Sequence, residues 1–316
     1  MSRFLIFSLL APVLLSGCHT LAHEKKPLLT QTSRFLLTFD DGPSARRDFN
    51  TTAEILDHLE NNAVQPDIKA LFFVQTRNPD GGGTALGRAL LRYSHATGHV
   101  LGLHSGSERG HIRHTKMSPG ELDESLRNGR NDLHALTGRS ADFIRPTFWG
   151  YTDATLDLYA NNGLRMLLTD INTRDGVRIH NIFGFRDRVY NQLVRTRQAI
   201  ERSELPVYEG HVPVVITLHD LNTFTATNVR DYLRVLIEEA AAAGLPLADK
   251  PFYDSADEIR AAAALRAVTP KPATTRVATS PPPISTETPA APAHPAAAPA
   301  LVRTSYTAED APSIVR

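Results

Sequence analysis

Apolar residues follow two alternating patterns along most of this chain. Short, nearly continuous apolar runs predict buried strands at residues 34–39, 70–74, 99–103, 142–144, 165–169 and 212–218. Between them, apolar residues recur every three or four positions and predict helices at residues 52–61, 86–96, 119–136, 153–161, 186–202 and 228–243. Repeated strand–helix units imply an α/β fold with a parallel sheet, either a barrel or a doubly wound sheet.

Capping residues mark several of the helix ends. The sequence SPGE at 118–121 supplies a serine cap, a proline at the first helical position and a glutamate that completes a capping box. Gly98, Gly138, Gly163 and Gly244 each follow a helical stretch and precede an apolar run, where a left-handed residue is needed.

The two ends of the chain differ in composition from its middle. Residues 4–15 form an apolar run after Arg3, too short for a bilayer, which requires about 20 apolar residues, but typical of an export signal. Ten of the 21 prolines lie beyond residue 269, in a segment without apolar periodicity, which predicts disorder. We therefore expect a signal peptide at 1–17, a tether at 18–33, one catalytic domain at 34–265 and a disordered tail at 266–316.

Composition excludes several classes of function. The 34 basic residues equal the 34 acidic ones, whereas a protein that neutralises phosphate backbones has a basic excess, so we expect no nucleic-acid partner. Cys18 is the only cysteine, which excludes internal disulfides and cysteine-rich zinc sites. Any metal must therefore be bound by His, Asp or Glu.

Side chains capable of catalysis follow the predicted strands directly. They are Asp40, Asp41, His104, Arg145, Asp170, Asp175 and His219. In a parallel barrel, the carboxyl ends of the strands share one rim, where active sites are built. Adjacent carboxylates such as Asp40 and Asp41 repel each other, and a metal resolves that conflict if one of them ligates it and the other stays free as a base.

The motifs around these residues resemble those of polysaccharide deacetylases of carbohydrate esterase family four, the NodB-homology group. TFDDGP at 38–43 matches the first motif, HS at 104–105 begins the second, RPTFWG at 145–150 is one residue longer than the third, and TLHD at 217–220 matches the fifth. The resemblance extends from Phe35 to about Leu221. It implies a distorted parallel (β/α) barrel in a single domain.

The resemblance also implies the catalytic roles. Asp40 would be the general base, held by Arg145, and His219 would be the general acid. The fourth motif is degraded, because NTRDG at 172–176 lacks the family's tryptophan. Asp175 aligns best as the acid that orients His219, and Asp170 is the alternative.

Substrate contacts follow from the third and fifth motifs of the same resemblance. Phe148 or Trp149 would flank the sugar, although the only tryptophan could equally be a core residue. Leu218 would line the pocket for the acetyl group.

The second motif departs from the family at its second histidine. The usual spacing places it at position 108, which is Glu108, so either Glu108 ligates in place or three residues are inserted and His111 is the ligand. Imidazole and carboxylate both suit Zn²⁺. We expect Asp41, His104 and His111 to bind a divalent metal, zinc or alternatively cobalt, and His114 to lie at the surface.

The implied activity is metal-dependent removal of acetyl groups from an N-acetylglucosamine-containing polysaccharide, either peptidoglycan or an exopolysaccharide. An O-acetyl esterase acting on an envelope glycan and an inactive glycan-binding lipoprotein are the alternatives. LSGC at 15–18 resembles a lipobox, so Cys18 would carry a lipid anchor, and His19 favours the periplasmic face of the outer membrane. We expect a monomer that contacts the glycan and, through its anchor, the membrane.

Overall fold

The structure is a computed structural model that describes residues 31–175 and 182–268. Cys18, the predicted tether up to residue 30 and the predicted tail from residue 269 lie outside the described residues, so the anchor and the tail stay predictions. The chain divides into two units, Met1–Lys271 and Pro272–Arg316, and every described residue belongs to the first. Among the described residues, none of the helices has the length and apolar character needed to cross a membrane.

Eight strands in the described part of the chain form one parallel sheet. They are β1 (Thr32–Asp40), β2 (Leu71–Gln75), β3 (Val100–Ser105), β4 (Phe143–Ile144), β5 (Arg165–Met166), β6 (Ile171–Asn172), β7 (His211–His219) and β8 (Leu247–Phe252). Their spatial order is β5–β4–β3–β2–β1–β7–β6, and β8 pairs with the first half of β1. Because β7 pairs with β1 along its whole length, β8 and β2 share the other edge of β1.

Helices connect most of these strands and cover the sheet. Those of the described residues are α1 (Thr51–Glu60), α2 (Ala85–Ala96), α3 (Pro119–Thr137), α4 (Asp153–Asn161), α5 (Ile182–Glu201), α6 (Thr223–Ala242) and α7 (Ala256–Arg266). Strands β1 to β7 follow one another around the sheet in chain order, as in a (β/α) barrel, and the sheet curls without closing fully. The predicted distorted parallel barrel is confirmed.

All the predicted strands and helices are present, with shifted ends. The predicted capping box at Ser118 forms, and the four predicted cap glycines have positive φ. Three elements were not predicted. Strand β6 has two residues, the apolar pattern of β8 is interrupted by Asp249 and Lys250, and α7 is so rich in alanine that its apolar face gives a weak pattern.

The two faces of β1 bury different clusters of side chains. The outer face packs under the helices through Phe35, Leu37 and Phe39. Side chains alternate across a strand, so Leu36, Thr38 and Asp40 share the inner face. Leu36 joins a smaller apolar cluster that includes residues of α7. The interior of the curled sheet is therefore apolar around Leu36 and polar at the carboxyl end of β1.

Helix α3 packs directly against the segment that carries His104. A Cβ atom at Gly129 would overlap the Leu103 side chain, and one at Gly106 would overlap the backbone of Gly129. Glycine at both positions thus lets the helix approach the end of β3. This approach fixes the chain on either side of His104.

We expect Gly129→Ala to lower the free energy of unfolding by about 1–3 kcal/mol, because overpacking outweighs the gain of about 1 kcal/mol in helix propensity. Gly120→Ala is the matched control, since Gly120 lies in the first turn of the same helix and its Cβ would meet nothing within 4 Å. That variant should be slightly more stable than the parent. Urea denaturation measures both, and equal stabilisation of the two would mean that α3 is free to move away from β3.

Candidate active site

A cavity of about 220 Å³ opens at the carboxyl ends of the strands. It is lined by Asp40, Asp41, His104, His111, Arg113, Pro146, Phe148, Trp149 and His219. Most of the residues singled out in the sequence thus surround one space. Leu218 does not, because its side chain lies in the hydrophobic core beneath the helices.

Arg145 is fully buried and fixes the orientation of Asp40. Its Nη1 donates to Asp40 Oδ1 at 2.8 Å and to Thr38 Oγ1 at 2.6 Å. Its Nε and Nη2 donate to the carbonyls of Leu167 and Leu168. Burial lowers the pKa of Arg145, and the carboxylate of Asp40 opposes that shift. A guanidinium is not deprotonated in proteins, so Asp40 has a permanent cationic partner.

Asp41, His104 and His111 bring three potential ligand atoms to one point. Asp41 Oδ1 lies 3.3 Å from Nε2 of His104 and 3.3 Å from Nε2 of His111, and the two nitrogens are 3.3 Å apart. The Nδ1 of His104 lies 2.8 Å from the Arg145 carbonyl, which can only accept a hydrogen bond. A neutral His104 therefore carries its proton on Nδ1 and presents the lone pair of Nε2 to the other two atoms.

The backbone at Asp41 has a φ of 81°, in the left-handed region that few residues other than glycine adopt. Gln75 holds this turn: its side-chain amide donates to the Asp41 carbonyl, and its backbone N–H donates to the Gly42 carbonyl. The carboxyl of Asp220 lies directly against Gly42, where a Cβ would overlap it. The direction of the Asp41 side chain thus depends on contacts from β2 and from the end of β7.

His219 is held by Asp175 at the end of β7, where it is the register partner of Asp40 on β1. Its Nδ1 lies 2.7 Å from Asp175 Oδ1. Asp175 also accepts hydrogen bonds from the His219 backbone, Thr173 and Thr225. Burial alone would lower the pKa of His219, but the hydrogen bond and negative charge of Asp175 outweigh it and raise the pKa to about 9. His219 is therefore protonated at neutral pH.

The alternative residues considered for these positions lie elsewhere. Asp170 is half-buried and pairs with Arg266, whereas Asp175 contacts His219. Glu108 is exposed and lines a separate cavity with Arg77 and Asp132.

His114 lies inside the protein, and its expected surface position is wrong. Its Nδ1 is 2.7 Å from the Tyr159 hydroxyl, and its Nε2 is 3.1 Å from the His104 carbonyl. Burial lowers the pKa of His114 to about 3, so the ring is neutral. His114 thus contacts the backbone of His104, a candidate metal ligand. The polar sequence around residue 114 gives no sign of this role.

Asp220 is a second residue that sequence reasoning missed. It is fully buried, accepts a hydrogen bond from Thr52, and its Oδ1 has no partner among the described residues. Burial raises the pKa of Asp220 to about 8, so this carboxyl is mostly neutral at pH 7. The sequence feature that could have drawn attention to Asp220 is its position directly after His219, a predicted catalytic residue.

Comparison with known proteins agrees with this arrangement. Residues 28–167 match the family model for polysaccharide deacetylase. This part of the chain is therefore similar to polysaccharide deacetylases. The matched range includes Asp40, Asp41, His104, His111 and Arg145. Asp175 and His219 lie beyond it. No curated protein matches the sequence.

Solved structures share the fold of this chain at low identity. The chitin deacetylase of the fungal pathogen Colletotrichum lindemuthianum is 20% identical, with a TM-score of 0.52, covering 70% of this chain and 87% of its own. A family 4 carbohydrate esterase from Streptomyces lividans is 20% identical, with a TM-score of 0.51, covering 76% and 100%. The Xyl-CE4 domain of a xylanase from the hindgut metagenome of Trinervitermes trinervoides is 19% identical, with a TM-score of 0.52, covering 76% and 94%.

The candidate metal site suits a divalent cation. Asp41 Oδ1 is buried without a hydrogen-bond donor among the described residues. Burial alone would raise the pKa of Asp41, but the neighbouring imidazoles, His104 foremost, hold it well below its usual value. A tetrahedral ion bound at about 2.0–2.1 Å keeps its ligand atoms about 3.3–3.4 Å apart, which is the spacing of these three atoms.

We expect His111→Ala to weaken Zn²⁺ binding at least about tenfold, because it removes one of three ligands. Glu108→Ala is the control from the same loop and should leave the affinity unchanged. Competition with a chromophoric chelator measures both. Loss of metal in Glu108→Ala alone would place the ligand at position 108.

Proposed function

We propose that this domain hydrolyses N-acetyl groups of an N-acetylglucosamine-containing polysaccharide, peptidoglycan or an exopolysaccharide, and releases acetate. The observation that carries the proposal is one cavity that holds a fixed carboxylate, a candidate metal site and a histidine paired with a buried carboxylate. The name of the structural relative from Colletotrichum, a chitin deacetylase, is consistent with an N-acetylated glycan as substrate.

Two groups at the ends of neighbouring strands supply the two proton transfers that amide hydrolysis requires. Asp40, held by Arg145, accepts a proton from the attacking water. His219, protonated and oriented by Asp175, donates a proton to the departing amine. A divalent cation on Asp41, His104 and His111 would polarise the acetyl carbonyl and make the water more acidic.

The protonated His219 favours an amide over an ester as the bond that is cleaved. An amine leaves only after it has gained a proton, whereas a good oxygen leaving group departs with less help. O-acetyl ester cleavage by the same groups is the second candidate, and an O-acetylated glycan assayed beside an N-acetylated one separates them. An inactive glycan-binding protein would have no need of Asp40, Arg145, Asp175 and His219 in these relations.

We expect Asp40→Asn to reduce acetate release about 10²–10⁴-fold, the usual contribution of a positioned proton-transfer group. Asparagine keeps the shape of the side chain and leaves Asp41 in place, so metal content should match the parent. Asp80→Asn makes the same change at an exposed loop position and should retain activity. Near-parental deacetylation by a metal-loaded Asp40→Asn protein would refute the proposed mechanism.

We also propose that the domain is tethered by a lipid on Cys18 at the periplasmic face of the outer membrane. Support comes from the LSGC sequence at 15–18 and the position of the single cysteine. More than one acyl chain would make such an anchor stable.

Cys18→Ala should abolish incorporation of labelled palmitate and release the protein from the membrane fraction. Equal labelling of parent and variant would contradict the anchor.

A further inference from the structure

Two loops of the candidate site depart together from the family's motif spacing, and they contact each other. One is residues 106–113, three residues longer than expected, and the other is residues 146–150, one residue longer. The His111 ring stacks on Phe148, with centroids 4.2 Å apart. Thr147 donates a hydrogen bond to the Ile112 carbonyl. The lengthened loops therefore form one unit on the wall of the cavity.

Arg113 is the cationic side chain of this unit that faces the cavity. Its guanidinium carbon lies 4.5 Å from the centre of the Phe148 ring. Arg113 lines the same space as Asp40, Asp41 and His219. The contact with the Phe148 ring holds the guanidinium in position but provides no hydrogen-bond acceptor for its five N–H donors.

Arg113 differs from the arginines around it in having no acidic partner. Arg109 in the same loop pairs with Glu121, Arg77 pairs with Asp132, and Arg145 pairs with Asp40. Among residues 31–175 and 182–268, Arg113 makes no ion pair and no side-chain hydrogen bond. A cation on a cavity wall with its donors free is suited to an anion brought by the ligand.

A carboxylate is the anion that suits this position. The planar guanidinium binds carboxylates through two parallel hydrogen bonds. The same cavity is lined by Asp40 and Asp41, which repel a dianion such as phosphate more strongly than a monoanion. The cavity of about 220 Å³ is smaller than the pockets that hold drug-sized ligands, so a sugar within it lies beside Arg113.

We propose that Arg113 binds a carboxylate of the glycan, so that the preferred substrate is an acidic polysaccharide with a carboxylate close to the acetylated amine. This inference rests on the proposed deacetylase function. It assigns Arg113 a role in specificity and leaves the proton transfers to Asp40 and His219.

The test uses the full chain and two forms of one substrate. Peptide-free glycan strands whose alternate hexosamines carry a lactyl carboxylate are compared with the same strands after the carboxylates have been converted to primary amides. Acetate release gives kcat/KM for each form. The parent should prefer the acidic strands. Arg113→Gln should lower kcat/KM on acidic strands about tenfold more than on amidated strands, as expected for the loss of a charge-assisted hydrogen bond.

Two further variants separate charge recognition from loop structure. Arg109→Gln removes an arginine from the same loop, one that pairs with Glu121, and should keep the parent's preference. Arg113→Lys retains the positive charge but lacks the planar guanidinium with its paired donors. It should restore part of the preference for acidic strands. Zinc content is measured for every variant, because Arg113 lies two residues from His111.

The outcomes distinguish this inference from the function on which it rests. Equal losses on both strands in Arg113→Gln, or loss of its zinc, would assign Arg113 to loop structure and overturn the inference. A parent that deacetylates both strands equally well would also overturn it, while the deacetylase function stands. A parent that releases acetate from neither strand, nor from a neutral N-acetylglucosamine hexamer, would overturn both.

Discussion

The buried ion pair between Arg145 and Asp40 is the interaction on which the rest of the site depends. Removing one partner of such a pair typically costs about 3–5 kcal/mol, because the other charge is left buried alone. The backbone carbonyl of Arg145 also accepts a hydrogen bond from Nδ1 of His104. The base and a candidate metal ligand are therefore aligned by opposite ends of one arginine, and a displacement of its backbone would disturb both.

Three of the seven described non-glycine residues with positive φ line the candidate site. They are Asp41, Phe148 and Trp149, and this conformation costs free energy in residues other than glycine and persists only where the surroundings enforce it. Gln75 and Asp220 enforce it at Asp41, and the stacking of Phe148 on His111 contributes at the third motif. Two of the three candidate metal ligands, Asp41 and His111, therefore either have such a strained backbone or contact a residue that has one.

Much of the architecture could be predicted from sequence because it depends on local pattern. Continuous apolar strands, the capping box at Ser118 and left-handed cap glycines each have a local cause, and the structure contains them. The motif residues could be placed on one rim because parallel strands end together.

What the sequence did not predict depends on tertiary contacts. Strand β8 carries polar residues, and its assignment requires knowing that β1 has a free edge beside it. His114 and Asp220 are polar residues whose burial depends on tertiary contacts, of His114 with Tyr159 and His104, and of Asp220 with Gly42. Leu218 was placed on a pocket wall by resemblance, yet strand alternation turns it toward the helices, opposite to Thr217 beside Thr38.

The extended chain from β5 to β6 changes neighbours part-way along, pairing first with β4 and then with β7. Between the two pairings, the carbonyls of Leu167 and Leu168 point to Arg145. In a regular barrel, a continuous strand at this place would use those carbonyls to accept hydrogen bonds from the amides of an adjacent strand. A buried guanidinium would then lack two of its acceptors, at a cost of about 1–3 kcal/mol for each unsatisfied group. The irregular wall of this barrel is therefore what makes room for a charged residue at its centre.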